Sequence, residues 1–162
     1  MYKTSYAREI YMNLKLLLFV VLKLTFPPPG EFFNQFENNL GVVRKAAFQM
    51  GRDMGRVLKD RYDIQRDDLG AVAEILSAAM RTERGEYSIE VEEGKVTMCN
   101  TGFCSVLHAA QALDLDWEWL DTNFAWPWLE GIVSLVRPDI KLNALAARCR
   151  GDAACIHSFE IE

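Results

Sequence analysis

Four cysteines and two histidines are the residues of this chain whose types and spacing suit chemistry. Cys149 and Cys155 bracket the stretch CRGDAAC, and the alternating IHSFEIE follows at once. Two thiols on a short charged loop between strand-like segments fit a disulfide, half of a metal site, or two packed core thiols. Cys99 closes another strand-like stretch, and Cys104 opens a helix after the link NTGF. His108 is one helical turn beyond Cys104, which puts both side chains on one helix face. Cys155 and His157 are two apart and share one face of a strand. If the two hairpins involved are sheet neighbours, Cys99, Cys104, Cys149 and Cys155 converge at one end of the sheet. That set would supply the four thiolates a tetrahedral zinc takes, so zinc is the cofactor these residues suggest. Independent buried thiols and a Cys149–Cys155 disulfide stay open beside it.

The second constellation is aromatic. Trp117, Trp119, Trp126 and Trp128 crowd one short stretch. Core packing accounts for such a cluster, because aromatics dominate buried area. Alternatively Phe124, Trp126 and Trp128, with His108, line a pocket for a hydrophobic or planar ligand, as apolar clefts with few polar groups do. His108 is also the candidate base should the chain be catalytic. The tripeptide Arg150-Gly151-Asp152 reads as a solvated turn, with glycine supplying the geometry.

The elements that must position these residues are legible from periodicity. The triple proline Pro27-Pro28-Pro29 stops a first helix, since proline cannot continue one. Phe33, Phe36, Leu40, Val43, Ala47, Met50 and Met54 then recur at spacings of three and four, a long amphipathic helix. Gly51 and Gly55 mark where a neighbouring element comes close. A further helix follows from about Asp67 and carries Leu69, Val72, Ala73, Leu76 and Met80 inward. The period changes to two in EYSIEVEEGKVTMC, a hairpin turning at Gly94. A short helix starts near Phe103, a Trp-rich helix pair is bent or broken at Pro127, and Pro138 ends it. The last third, from IKLNALAARC to IHSFEIE, reads as a second hairpin. Two hairpins pairing into one antiparallel sheet with helices on one face give an α+β fold, preceded by an extra N-terminal helix. The expected organisation is residues 1–30 as that helix and its proline-rich turn, and residues 31–162 as one domain.

Totals restrict the function. At 162 residues the chain buries a real core without staples, and its half apolar, quarter charged composition is that of a globular protein. A net charge of -5 with scattered Lys and Arg argues against a nucleic-acid partner. The apolar run Leu16 to Leu22 is seven residues long, bracketed by Lys15 and Lys23, far short of the about 20 a membrane span needs. A membrane role is therefore not expected, and free thiols suit a cytoplasmic setting. No Gly-rich phosphate loop or G-x-S-x-G elbow is present, which sets aside nucleotide chemistry and serine hydrolysis.

The order of elements and the closing residues resemble the vinyl-4-reductase domain family of predicted hydrocarbon-binding proteins and aromatic-responsive sensor domains. The resemblance is carried by Cys149, Gly151-Asp152, Cys155 and Phe159 in the closing hairpin. It extends to a related group similar to L-2-amino-thiazoline-4-carboxylic acid hydrolases through WPWLEGI, Trp126 to Ile132. It implies an α+β, dimeric domain with an apolar cavity between sheet and helices. In the sensor branch it also implies a zinc held by Cys, Glu, Cys and Cys. Cys149 and Cys155 match the last two ligands, but Ala146 stands where the glutamate belongs and Asn123-Phe124 where the other cysteine belongs. Two readings follow. One is a sensor-type domain binding a small hydrophobic or heterocyclic ligand, as a homodimer. The other is a hydrolase of a cyclic C–N bond, with a zinc-bound water or a thiolate as nucleophile.

Overall fold

The structure, a computed structural model, describes residues 32–83 and 86–161, with the side chains of 32–39 and 113 outside the description. The helix expected within residues 1–30 lies outside the described residues. By its contacts the chain falls into two compact units, Met1–Val42 and Val43–Glu162. The first unit's described part is the opening of α1.

Helix α1 (Phe32–Arg61) buries a narrow line along one face: Val43, Ala47, Gly51, Gly55 and Leu58. Met50 and Met54 flank that line and are only partly buried. The line is built of small residues because another backbone lies against it. A Cβ at Gly51 would run into the carbonyl oxygen of Trp128, and one at Gly55 would come within 2.9 Å of the carbonyl oxygen of Ile132. On the facing helix, a Cβ at Gly131 would strike the carbonyl of Phe48. The seam is therefore backbone on backbone, which only glycine permits.

Helix α2 (Leu69–Glu83) starts where Asp68 caps it, Ala71 N–H donating to its Oδ1 at 2.8 Å. Its inward face carries Ala71, Val72, Ile75, Leu76 and Ala79 onto the sheet. The sheet has four strands, β1 (Tyr87–Glu92), β2 (Lys95–Asn100), β3 (Ile140–Ala146) and β4 (Cys155–Ile161), in the order β1-β2-β4-β3. Every pairing is antiparallel, so the two hairpins join into one sheet as the sequence predicts, and the structure makes β2 and β4 the strands that join them. Gly94, at φ 79°, turns the first hairpin.

Alternation assigns the faces. Val96 opposes Phe159 and Met98 opposes His157, and these four are buried under the helices. Ser88, Glu90, Glu92, Lys141 and Asn143 point away and are exposed. Among the described residues the helices pack on the face that carries Val96, Met98, His157 and Phe159. Phe159 is wholly buried at the centre, and a side chain of that size contributes about 1.5–3 kcal/mol by leaving water.

Between the hairpins run α3 (Ser105–Leu113), α4 (Trp117–Leu120), a wide π-helical turn (Asp121–Ala125) and α5 (Trp126–Val133). The sequence predicts a bend or break at Pro127. The chain instead continues through the wide turn, in which Trp126 N–H reaches back to the carbonyl of Asp121. Proline at position 127 has no N–H and crowds the carbonyl four residues earlier, so one extra residue in the turn relieves it. The second hairpin also differs from expectation. Strand β3 ends at Ala146, with a bulge between Ala144 and Ala146. Asp152 Oδ2 takes the N–H of Ala147 at 2.7 Å and so removes it from the ladder. Cys149 consequently sits in a short 3-10 turn, Arg148–Arg150, closed by Gly151 at φ 93°.

Candidate functional site

One end of the sheet gathers side chains from four elements. Strand β4 brings Cys155 and His157, and the turn before it brings Arg148 and Cys149. The start of α3 brings Cys104, and the wide turn brings Asp121.

Asp121 is the hub. It is 5 % exposed, and its Oδ2 accepts from Trp126 Nε1 at 3.1 Å and from Cys149 Sγ at 3.5 Å. The π-helical turn lets this acid face inward. That turn is held in place by Arg44 of α1, whose Nη1 donates to the carbonyl of Thr122 at 3.3 Å. Asn123 donates to the carbonyl of Trp119 at 2.9 Å, so the position where the family resemblance expects a cysteine is a structural amide.

The thiols around Asp121 are held protonated. Cys149 is pushed up to about 12, first by burial and then by the Asp121 charge and its hydrogen bond. Burial also raises Cys155, with Asp121 and Cys104 adding to it and the Arg148 N–H, 3.4 Å from the sulfur, opposing it. Cys104 is raised by burial too, against the N–H groups of Leu107 and Val106. Its sulfur acts as the cap of α3, accepting from Leu107 N–H at 3.3 Å. Arg148 ties these parts together, its Nη1 donating to the carbonyl of Gly102 in the NTGF link. Asn100 shapes that link by accepting from Gly102 N–H at 3.1 Å.

His157 is the outlier. It is 4 % exposed, and neither ring nitrogen has a hydrogen-bond partner. Its ring meets Trp126 edge-on, with centroids 6.3 Å apart. Burial lowers its pKa, Asp121 works in the opposite direction, and Arg150 adds to the lowering. A second buried carboxyl, Glu83 at the end of α2, has its pKa raised by burial against a hydrogen bond from Ser105, and its Oε2 has no hydrogen-bond partner.

The zinc expectation meets a geometric obstacle. Cys99 pairs with Ile156, so it lies on the outer face of the sheet, opposite the face that carries Cys155. The four thiols do not converge, because the alternation of β2 sends Cys99 the other way. All four are free thiols, so no Cys149–Cys155 bridge closes the hairpin. Among the described residues no group of three or more His, Cys, Asp or Glu is arranged to hold a metal ion. These residues do not fit the zinc group the resemblance implies, since Ala146 and Asn123 stand at two of its four ligand positions.

The candidate ligand residues divide. Phe124 and Trp128, four apart, pack into the main core, and Trp128 Nε1 is buried without a hydrogen-bond partner. Trp126 turns instead to Asp121 and His157. His108 is exposed and stacks on Phe103 at 4.8 Å, its backbone N–H bonded to the carbonyl of Cys104. Asp121 and Arg148 have no counterpart in the sequence reading. No spacing in the sequence marks Asp121, which stands among Glu118, Thr122 and Asn123 in a stretch of mixed polarity.

Comparison with known proteins bears on the fold. No family model matches the chain, and no curated protein matches it. Among solved structures it is similar to a trafficking protein particle complex subunit 3 from Naegleria fowleri, covalently bound to palmitic acid. The two share 12 % identity with a TM-score of 0.53, over 94 % of this chain and 96 % of the other. At that identity the likeness concerns the fold: a small α+β domain of a kind that, in the neighbour, holds a long apolar chain. Among the described residues no helix is long and apolar enough to cross a membrane.

Proposed function

We propose that this chain binds a hydrophobic small molecule, an acyl chain or a comparable apolar ligand, in the layer between its helices and the inner face of its sheet. The observation that carries this reading is the end-to-end likeness to a chain that holds palmitic acid. The Asp121–Trp126–His157 group supports it, because unpaired polar atoms beside an apolar core are the usual furnishing of a ligand site. The resemblance to the vinyl-4-reductase family, with its hydrocarbon ligands and dimeric state, agrees with this reading and belongs to it as proposal. The hydrolase alternative gains no support. Thiols raised by burial are poor nucleophiles, and His108, the candidate base, stacks on Phe103 at the surface.

The test is titration of the purified full-length chain with a fluorescent fatty-acid analogue, followed through tryptophan quenching and by displacement with palmitate and hexadecanol. Saturable binding reversed by a non-fluorescent amphiphile is the expected result. Quenching that rises without saturation, or that no apolar competitor reverses, would remove the reading.

A further inference from the structure

We propose that His157 is the point that recognises the ligand's polar end, and that this end is uncharged: a hydroxyl, or an ester or amide carbonyl, in preference to a free carboxylate. The inference rests on the hydrophobic-ligand reading above and specifies its chemistry.

His157 stands at a boundary. Along β4 its neighbours on the same face are Cys155 and Phe159. Across the ladder it faces Met98 on β2 and Ala144 on β3. Ala144 offers only a methyl group beside the ring. Towards Phe159 the surface is wholly apolar, continuing into Val96 and Leu142. Towards Cys155 it is polar, with Asp121 and Trp126 closing that side. An apolar strand face that ends in a polar cluster offers an amphiphile a partner for each of its ends.

The polar end is restricted by what is already committed. Asp121 Oδ2 is taken by Trp126 and Cys149, so neither of those donors is free for a ligand. His157 is buried, and both its nitrogens are unpaired. A buried donor or acceptor without a partner is costly, so a group that pairs with it gains more there than at a surface. In its neutral form, which burial favours, the ring presents one N–H and one lone pair. A hydroxyl satisfies either nitrogen, and a carbonyl accepts from the N–H. A carboxylate would also accept that N–H, but it would bring a second negative charge into a poorly solvated site that already contains Asp121.

The experiment is competition for the fluorescent analogue by hexadecanol and by palmitate at neutral pH, on the wild-type chain and on His157→Phe. In the wild type hexadecanol should displace the probe at roughly a tenfold lower concentration than palmitate. His157→Phe, with the probe's own affinity measured again, should weaken hexadecanol and so narrow that ratio, and Asp121→Asn should narrow it from the other side by improving palmitate. Equal displacement by both competitors in the wild type, or a ratio unchanged in His157→Phe, overturns the assignment and leaves hydrophobic binding standing. Failure of the probe to bind the wild type at all removes the binding reading, and this inference with it. Should the Phe variant not fold, the histidine side-chain nitrogen spectrum of the wild type decides: hexadecanol should shift the His157 ring signals, and unmoved signals overturn the assignment.

Discussion

The seam between α1 and α5 and the polar end of the sheet are both buried, and they are built on opposite principles. At the seam the contact is made by backbone. Gly51, Gly55 and Gly131 remove side chains so that two backbones touch. At the sheet end Asp121, Cys104, Cys149, Cys155 and His157 are brought together from four elements, and the His157 nitrogens stay unpaired. Backbone contact gives a region one purpose, which is to fix the helices. A region of buried polar groups with spare hydrogen-bonding capacity costs stability, and such regions persist where they serve a ligand. The contrast predicts that substitutions at the seam act on folding, and substitutions at the sheet end act on chemistry.

The strongest way to break that contrast is at the seam. Gly51→Val places branched carbons where the Trp128 carbonyl already stands, and rigid backbone has no rotamer with which to give way. The expected loss is at least about 3 kcal/mol, towards the upper end of overpacking costs, read from urea unfolding of the full chain. Gly131→Ala should lose stability by the same mechanism, since its Cβ meets the Phe48 carbonyl. In contrast, Gly41→Ala, where nothing lies within 4 Å, should hold stability or raise it by a few tenths of a kcal/mol. If Gly51→Val unfolded at the wild-type urea concentration, the seam would not be a backbone contact.

The same two regions differ in how far the sequence discloses them. The seam was readable, because two glycines four apart inside an amphipathic helix have few reasons other than a close neighbour. The hairpins were readable too, since a period of two and a glycine turn are local signals. The separation of Cys99 from the other thiols was not. It required knowing which face of β2 turns inward, and that is settled by the Val96–Phe159 and Met98–His157 pairs across the sheet. Asp121 was equally hidden. Its inward position depends on the wide turn that Pro127 imposes on the helix before it, a geometry with no fixed spacing in sequence. Spacing along one element was a sound guide, whereas contacts between elements were not.

A second test sharpens the chemical half of the contrast. Asp121→Asn keeps the shape and removes the charge that acts on Cys149. In the wild type the Cys149 thiol is held up to about 12, so its alkylation rate should keep rising with pH well beyond the ordinary thiol range. In Asp121→Asn the rate should level off at lower pH, as mass spectrometry of the labelled residue would show. Stability carries the same sign. A raised thiol pKa means the folded chain keeps a proton that the unfolded chain has lost, so stability falls as pH rises from the ordinary thiol value towards about 12. Asp121→Asn should flatten that fall. An unchanged alkylation profile would mean that Asp121 does not govern the thiols.

The smallest effect is expected at Cys99, and it is informative for that reason. A cysteine on the outer face of β2, opposite Ile156, has no part in the group around Asp121. Cys99→Ser exchanges a small thiol for a slightly smaller hydroxyl at a half-buried position, and the cost should stay within about 0.5 kcal/mol. Its alkylation should be independent of Asp121→Asn, whereas that of Cys149 is not. Four thiols should titrate in denaturant in the wild type, and three in Cys99→Ser, with metal content the same in both. A four-thiolate zinc site predicts the reverse. Losing one of four ligands would release metal, and a chain that folds around zinc would lose several kcal/mol with it. The substitution therefore separates the two arrangements of the same four cysteines on both stability and metal content: one in which the pleat divides them between faces, and one in which a metal gathers them.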